Sequence, residues 1–472
     1  MENQTLKWNQ EAVLQYRDKT VLVAGAARSG LAAAELLLAL GARVLLYDEK
    51  KIDEIKAIPE ALRNGHCELH FGESVLPLIS RCDRIILSPG IPLTAPWVAA
   101  ARENGIPVVG ELAFAASCAI SPLIAITGTN GKTTTVSLLG EIFRQAGKIV
   151  FVTGNIGYPL SAAVLRAGRD DLFICEVSSF QLETVETFHP CVAVMLNITP
   201  DHLDRHGSME AYIKLKQRIF ENMDQSDFAV LNQDDPLVRD MAQNIRAQLN
   251  WFSRTQPVNR GAALREGWIE VIASGEAKRV CEAGELNIPG DHNLENALAA
   301  VAAANTQSVP LPVIAYALRQ FKGVEHRIEY VRTVNGVRYI NDSKGTNPDS
   351  TIKAIQTMKD PTVLIAGGYD KHVAFDSLAK SVVLSGRIKH AVLIGETAAQ
   401  IEEALWRAGF ADISHVGRLD EAVKTARGLA APGGCVLFSP ACASFDMFHD
   451  YEERGRLFKQ IVEGLPEQEE SI

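Results

Sequence analysis

The sequence has no surplus of positive charge: 57 acidic against 47 basic side chains leave a formal net charge of −10 over 472 residues. Such a chain repels polyanions, which argues against nucleic acid as a partner and requires any bound phosphate to be held by a local site. None of its eight cysteines forms a CxxC pair, and most sit in apolar runs, as small buried hydrophobes of a reducing compartment do. The N-terminus MENQTLKWNQEAVLQYRDK lacks the apolar segment of a signal peptide. The most apolar helical stretches, Leu31 to Leu40 and Leu294 to Ala304, are interrupted by Glu35 and Glu295, so no membrane insertion is expected. There is no internal repeat and no low-complexity tract beyond the acidic tail EQEESI. What is present, 47% apolar and 22% charged residues, is the mixture of a folded globular protein. At roughly 150 residues per domain the length predicts about three domains.

Short β-branched runs alternate with alanine- and leucine-rich helical patterns in three series. TVLVAG, ARVLLYD and RIILSPG make the first, PLIAITG, IVFVTG, DLFICE and CVAVMLN the second, and GVRYIND, TVLIAGG, AVLIGE and CVLFSP the third. That alternation predicts parallel sheets with crossover helices. Between about Asn250 and Gly290 the pattern is short and polar, with IEVIAS and ELNIPG separated by glycine turns, and predicts hairpins on the second domain before HNLENALAAVAAA resumes a helix.

The loop TGTNGKTTT, Thr127 to Thr135, follows the strand PLIAI and precedes a helix whose apolar positions Val136, Leu139, Ile142 and Phe143 recur at helical spacing. This context favours a phosphate-binding loop over a plain glycine turn. Gly128 and Gly131 let backbone amides converge on phosphate oxygens, Lys132 reaches the terminal phosphates, and the Thr133 hydroxyl is placed for magnesium. Ile126 stands where the strict pattern has glycine, so the loop is a variant. An earlier loop, Gly25 to Gly30, has the spacing of a dinucleotide fingerprint with Asp48 about twenty residues on, but Ala27 replaces the middle glycine and hinders a pyrophosphate. An NAD-type oxidoreductase is thereby disfavoured, leaving another anionic nucleotide or simple packing of helix on sheet.

At strand ends, where ligands sit in such sheets, stand Glu176, a natural magnesium ligand, and His202, a less usual one that also has a structural reading. In MEAYIKLKQRIF the apolar stripe of Met209, Tyr212, Ile213, Ile219 and Phe220 is continued by Lys216. Taken alone, such a lysine reads as snorkelling, its stem packed on the stripe and its ammonium reaching water.

Together the motifs resemble one family, the ATP-dependent Mur ligases of bacterial cell-wall synthesis, over nearly the whole chain. The resemblance rests on TGTNGKTT, TGNIG (Thr153 to Gly157), EVSSFQLE (Glu176 to Glu183), NITPDHLDRH (Asn197 to His206), GDHNLENALAA (Gly290 to Ala300), EHRIE (Glu325 to Glu329), NDSKGTNPDS (Asn341 to Ser350), GGYDK (Gly367 to Lys371) and SPACASFDMF (Ser439 to Phe448). EVSSFQLE, NDSKGTN and SPACASFD point to the branch that adds D-glutamate. The implied fold is α/β in three domains: a Rossmann-like UDP-substrate domain (1–111), a P-loop ATPase-type central domain (112–323) and a Rossmann-like amino-acid domain (324–472). The implied partners are UDP-N-acetylmuramoyl-L-alanine, D-glutamate and ATP, in a monomeric enzyme of the bacterial cytoplasm.

By the same resemblance, Asp48 and Glu49 lie near the uracil, Ser88 on the diphosphate path and Asn155 at the muramoyl portion. ATP falls to Gly128, Thr129, Asn130, Gly131, Lys132, Thr133 and Thr134, with Asn293 and Asn296 at the adenine and Arg327 and Asp342 completing the site. Two magnesium positions are implied, with Thr133 and Glu176 at one and His202 with a carbamylated Lys216 at the other; Lys132, His202 and Lys216 are the implied catalytic groups. D-Glutamate falls to Lys344, Thr346, Lys371, Ser444 and Tyr451. Ala27 stands where some relatives have glycine, Tyr369 where the family often has a small residue, and Tyr451 where some have phenylalanine. The absence of a DNPR-type segment argues against the diaminopimelate- or lysine-adding ligases. A folylpolyglutamate-type ligase and a P-loop protein without ligase activity are the remaining alternatives.

Overall fold

The computed structural model describes residues 7–55, 58–63, 66–273, 275–288 and 290–467. The first six residues of the polar N-terminus and the acidic tail beyond Glu467 lie outside the described residues. Three sheets are present, and the chain divides into two compact units.

The first unit comprises 1–198, 206–286 and 295–321 and holds two sheets. In one, β1 (Thr20–Ala24), β2 (Arg43–Asp48), β3 (Cys67–Phe71), β4 (Arg84–Leu87) and β5 (Val108–Gly110) lie in the order β3-β2-β1-β4-β5, all parallel. The second sheet takes β6 (Leu123–Thr127), β7 (Val150–Gly154), β8 (Leu172–Glu176), β9 (Val192–Met195), β10 (Phe228–Asn232), β11 (Gln248–Ser253), β12 (Gly261–Arg265), β13 (Trp268–Ala273) and β14 (Glu276–Glu282). Their order is β14-β13-β12-β11-β10-β9-β6-β8-β7. β6 and β8 are buried at every residue, as the continuous apolar runs require of strands covered on both faces.

The polar stretch does form hairpins, β12 to β14, with one correction. β13 pairs with Glu276–Glu282, whereas ELNIPG supplies no strand: a 3-10 turn at Ala283–Glu285 and bends follow instead. The β12–β13 turn places Glu266 and Gly267 at φ 50° and 82°, the left-handed pair that matches the twist of a tight hairpin.

The helix Arg28–Ala39, rich in alanine and leucine, buries Ala33, Leu36 and Leu37 in one apolar cluster with Phe114 of the helix Glu111–Cys118 and Leu160 and Val164 of the helix Leu160–Val164. The domains of the first two sheets therefore share a core, which is why they form a single unit.

The second unit comprises 199–205, 287–294 and 322–472. Its sheet runs β15 (Glu329–Val334), β16 (Val337–Asn341), β20 (Cys435–Phe438), β17 (Thr362–Ala366), β18 (Ile388–Leu393) and β19 (Ile413–His415), with only the β15–β16 pair antiparallel. Side chains alternate between its faces: Leu364, Ala366 and Leu437 enter one cluster, and Val363, Ile365, Val436 and Phe438 the other. The expected architecture, three α/β domains built on parallel sheets, is thus present. No helix among the described residues is long and apolar enough to cross a membrane.

Candidate active site

The β6 strand feeds directly into the loop Gly128 to Gly131 and the helix Lys132–Gln145. Gly131 is left-handed at φ 85°, and a Cβ there would stand 2.2 Å from Asn296 Oδ1, so the turn into the helix requires glycine. Lys132 Nζ donates to the carbonyls of Gly128 at 2.9 Å and Thr129 at 2.7 Å, which lays its ammonium across the loop. At the end of β8, Glu176 is 2% exposed. Its Oε2 accepts from Thr133 Oγ1 at 2.8 Å and its Oε1 from Asn155 Nδ2 at 2.9 Å. The Glu176 carboxylate is thus held between a hydroxyl and an amide N–H beside the loop, and its oxygens with that of Thr133 are hard donors of the kind magnesium prefers.

The helix Met209–Gln217 is capped by Ser208, whose Oγ accepts from Ala211 N. It carries Lys216 inward to 1% exposure. Lys216 Nζ donates to Gly128 O at 2.9 Å and to Thr127 Oγ1 at 3.3 Å and lies 4.9 Å from the centre of the Tyr212 ring. Tyr212 in turn meets Thr129 Oγ1 through its hydroxyl at 3.2 Å. The lysine thus does not snorkel: its head group reaches the base of the phosphate loop. Asn197 pins the same loop, accepting from Asn130 N and donating to Asn130 O.

In the second unit, Asp342 at the end of β16 is buried, and burial pushes its carboxyl up to about 6 against the opposing pull of Arg327. Its oxygens accept from Ser439 Oγ at 2.6 Å and Ile328 N at 3.2 Å. Arg327 Nε is buried without a hydrogen-bond partner, as is His292 Nε2. Burial, with Arg327 and Lys353 adding, lowers the His292 imidazole to about 3, so it is neutral at physiological pH. His202 adopts φ 52° with Nε2 3.6 Å from Asp201 Oδ2, and Thr199 of the same segment donates to Asp349 on the helix Pro348–Thr357. Lys344 Nζ donates to Tyr451 OH at 3.0 Å, and Ser444 is buried in the loop after β20.

In the first sheet's loop, Gly25 and Gly30 serve close packing: a Cβ on Gly30 would stand 1.7 Å from Gly25 O, and one on Gly25 2.7 Å from Ser88 Oγ. Asp48 accepts from Ala26 N at 2.7 Å and Lys50 N at 3.0 Å, so its carboxylate holds the loop itself, while Glu49 is exposed. Arg28 donates to Gly157 O in the TGNIG segment.

Three family models match along the chain: the Mur ligase MurD-like N-terminal domain at 19–110, the Mur ligase middle domain at 126–304, and the Mur ligase glutamate ligase domain at 326–442. The chain belongs to the Mur ligase family. This Mur ligase is 46% identical over 454 residues, 96% of its length and all of the relative's, to the UDP-N-acetylmuramoylalanine–D-glutamate ligase of Thermoanaerobacter sp. (strain X514). It is 50% identical over 447 residues, 95% of its length and 98% of the relative's, to the ligase of the same name from Pelotomaculum thermopropionicum. Among solved structures, the UDP-N-acetylmuramate–alanine ligase of Thermotoga maritima shares the fold, with a TM-score of 0.59 at 20% identity over 94% of this chain and 99% of that one. A pseudomurein peptide ligase from Methanothermus fervidus matches with the same score and coverage. Membership sets aside the reading as a P-loop protein of another class.

Of the residues singled out in its sequence, this Mur ligase gathers Lys132, Thr133, Asn155, Glu176 and Lys216 at one loop of the first unit. Asn296 belongs to that unit and Asn293 to the second, with Arg327, Asp342, Lys344, Thr346, Lys371, Ser444 and Tyr451. Sequence reasoning missed Arg454, which is 0% exposed. Its guanidinium donates to Ser343 Oγ, Ser343 O, Cys442 O and Ala443 O, tying the loop of Lys344 to the loop of Ser444, and burial lowers its pKa to about 10. A signal existed: Arg454, Phe458 and Val462 recur at helical spacing on the buried face of Tyr451–Glu463, the same charged break in an apolar stripe that marks Lys216. Glu111 was also missed; it is buried and accepts from Ser161 N and Oγ at the start of the helix after TGNIG.

Proposed function

We propose that this Mur ligase joins D-glutamate to UDP-N-acetylmuramoyl-L-alanine at the expense of ATP, through an acyl phosphate, as a step of peptidoglycan-precursor synthesis in the bacterial cytoplasm, working as a monomer. The observation that supports it best is the buried Glu176 carboxylate paired with the Thr133 hydroxyl beside a phosphate loop, in a chain that matches D-glutamate ligases over 95–96% of its length.

The alanyl carboxylate is a poor electrophile, so its oxygen first attacks the γ-phosphorus of ATP and ADP leaves. Backbone amides of Gly128 to Thr134 cradle the phosphates, and Lys132 swings from the loop carbonyls to neutralise charge on the oxygens of the transferred group. Thr133 and Glu176 would hold one magnesium ion, and His202 and a carbamylated Lys216 are the ligands the family resemblance implies for a second; when bound, the metal would supply Lewis-acid charge neutralisation. Asn293, Asn296, Arg327 and Asp342 hold the nucleoside. The uncharged amine of D-glutamate, oriented by Lys344, Thr346, Lys371, Ser444 and Tyr451, attacks the acyl carbonyl; the tetrahedral intermediate expels phosphate, the nitrogen loses a proton, and the amide remains. Asp48, Glu49, Ser88 and Asn155 hold the UDP-sugar.

For Lys216 to serve as an oxygen ligand, its neutral amine adds to carbon dioxide: a C–N bond forms, one C=O π bond opens to oxygen, and a proton is released. The resulting carbamate keeps an N–H for Gly128 O and offers two oxygens.

ADP release measured with a panel of amino acids tests the reading. Turnover should require UDP-N-acetylmuramoyl-L-alanine and D-glutamate, with L-glutamate and meso-diaminopimelate inactive, and should stop when EDTA removes magnesium. Equal ADP release without the muramoyl substrate would mark a plain ATPase, and preference for another amino acid would mark a different ligase.

A further inference from the structure

In the structure Tyr369 has an aromatic partner in a neighbouring loop. It lies in the loop Gly367 to Lys371 after β17; Phe445 lies in the loop Ser439 to Asp446 after β20, the adjacent parallel strand. The two loops touch at their base, where Tyr369 N donates to Ala443 O at 3.0 Å. A Cβ on Gly368 would stand 2.4 Å from the same carbonyl, so only glycine permits this approach. Thr397 Oγ1 closes on Gly368 from the other side, accepting from its N–H at 3.1 Å and donating to its carbonyl at 3.0 Å. Above this tied base the Tyr369 and Phe445 rings meet edge to face, centroids 5.9 Å apart and planes at 74°. Yet Tyr369 is 40% and Phe445 65% exposed.

Phe445 keeps most of its surface in water and Tyr369 two-fifths of its own, so the pair stabilises the fold less than a fully buried pair would. They stand on the two loops that carry Lys371 and Ser444. We propose that Tyr369 and Phe445 form an aromatic clasp that fixes the spacing of these loops and lays an apolar wall against the methylene groups of the bound amino acid, which makes them specificity-determining residues. The proposal rests on the D-glutamate reading above. Cations and hydroxyls recognise the carboxylates of an acidic amino acid but do not count its carbons. A wall does, since each methylene taken from water is worth roughly fourfold in affinity. The Tyr369 hydroxyl has no hydrogen-bond partner among the described residues, so the ring is the working part.

Initial rates of the full-length chain, with D-glutamate varied at saturating ATP and UDP-N-acetylmuramoyl-L-alanine, test the clasp. Y369A and F445A should each raise KM for D-glutamate roughly three- to tenfold while moving kcat and KM for ATP by less than about twofold. Y369F, which keeps the ring, should recover most of the loss. The double alanine variant should do little more harm than the worse single one, because each ring acts through the other. Unchanged KM for D-glutamate in both alanine variants, equal increases for D-glutamate and ATP, or strictly additive effects would overturn the clasp and leave the ligase reading standing. A wild-type chain that fails to use D-glutamate overturns both.

Discussion

An ammonium at 1% exposure is costly unless something compensates it, and at Lys216 the compensation is Gly128 O, Thr127 Oγ1 and the face of Tyr212. These are the residues that shape the phosphate loop, so Lys216→Ala should cost activity roughly a hundredfold or more, with circular dichroism and melting close to wild type. Acetate should restore part of the activity by supplying oxygens; mass spectrometry showing unmodified Lys216 in active enzyme, with no such rescue, would refute the carbamate. Asp342 makes a second residue-scale case. Its ordinary value is 3.8 and burial raises it to about 6, so between those pH values the folded chain holds a proton that the unfolded chain has released. Raising the pH through that window therefore destabilises the fold. Asp342→Asn removes the titration, and from pH 4.5 to 7.5 its stability relative to wild type should improve by about 2 kcal/mol. Denaturant titrations at the two pH values read this directly, and a difference independent of pH would place the proton elsewhere.

The phosphate loop works as an element because β6 ends where the helix Lys132–Gln145 begins, with one left-handed residue between. Gly131→Ala forces a Cβ into Asn296 Oδ1 and an L-residue into the left-handed region. ATP affinity should fall at least about tenfold, about 1.4 kcal/mol, in calorimetric titration. Unaltered affinity with an intact fold would mean that the turn relaxes without disturbing the cradle. At this scale much was legible: the β-branched runs, the loop motif and the apolar stripes all appear where their periods place them. ELNIPG was misread because an alternating polar segment fits a strand or a turn equally well, and the choice fell to the partner that β13 found, Glu276–Glu282.

Over the whole molecule, the shared core of the first two sheets makes the first unit one cooperative body, and the second unit has its own two clusters. Leu37, fully buried in the shared core, is a probe of this division. Leu37→Ala should destabilise the first unit by roughly 2–5 kcal/mol, and calorimetry should show its transition move down while that of the second unit stays in place. A single transition moving as a whole would show that the two units unfold together.

The sequence by itself determined what depends on near neighbours. The strand and helix periods, the phosphate loop and the place of Lys216 on an apolar stripe all follow from residues within a few places of one another, whereas its burial was decided by what packs over that stripe. Tertiary structure alone decided which distant groups meet. Glu176 stands between Thr133 and Asn155, Arg454 joins the loops of Lys344 and Ser444, Asp48 holds its own loop, and Tyr369 finds Phe445. The reason is that strand order and register bring these residues together. β20, the last strand, inserts between β16 and β17, and no local period encodes that insertion; burial of both faces of the sheet selects it.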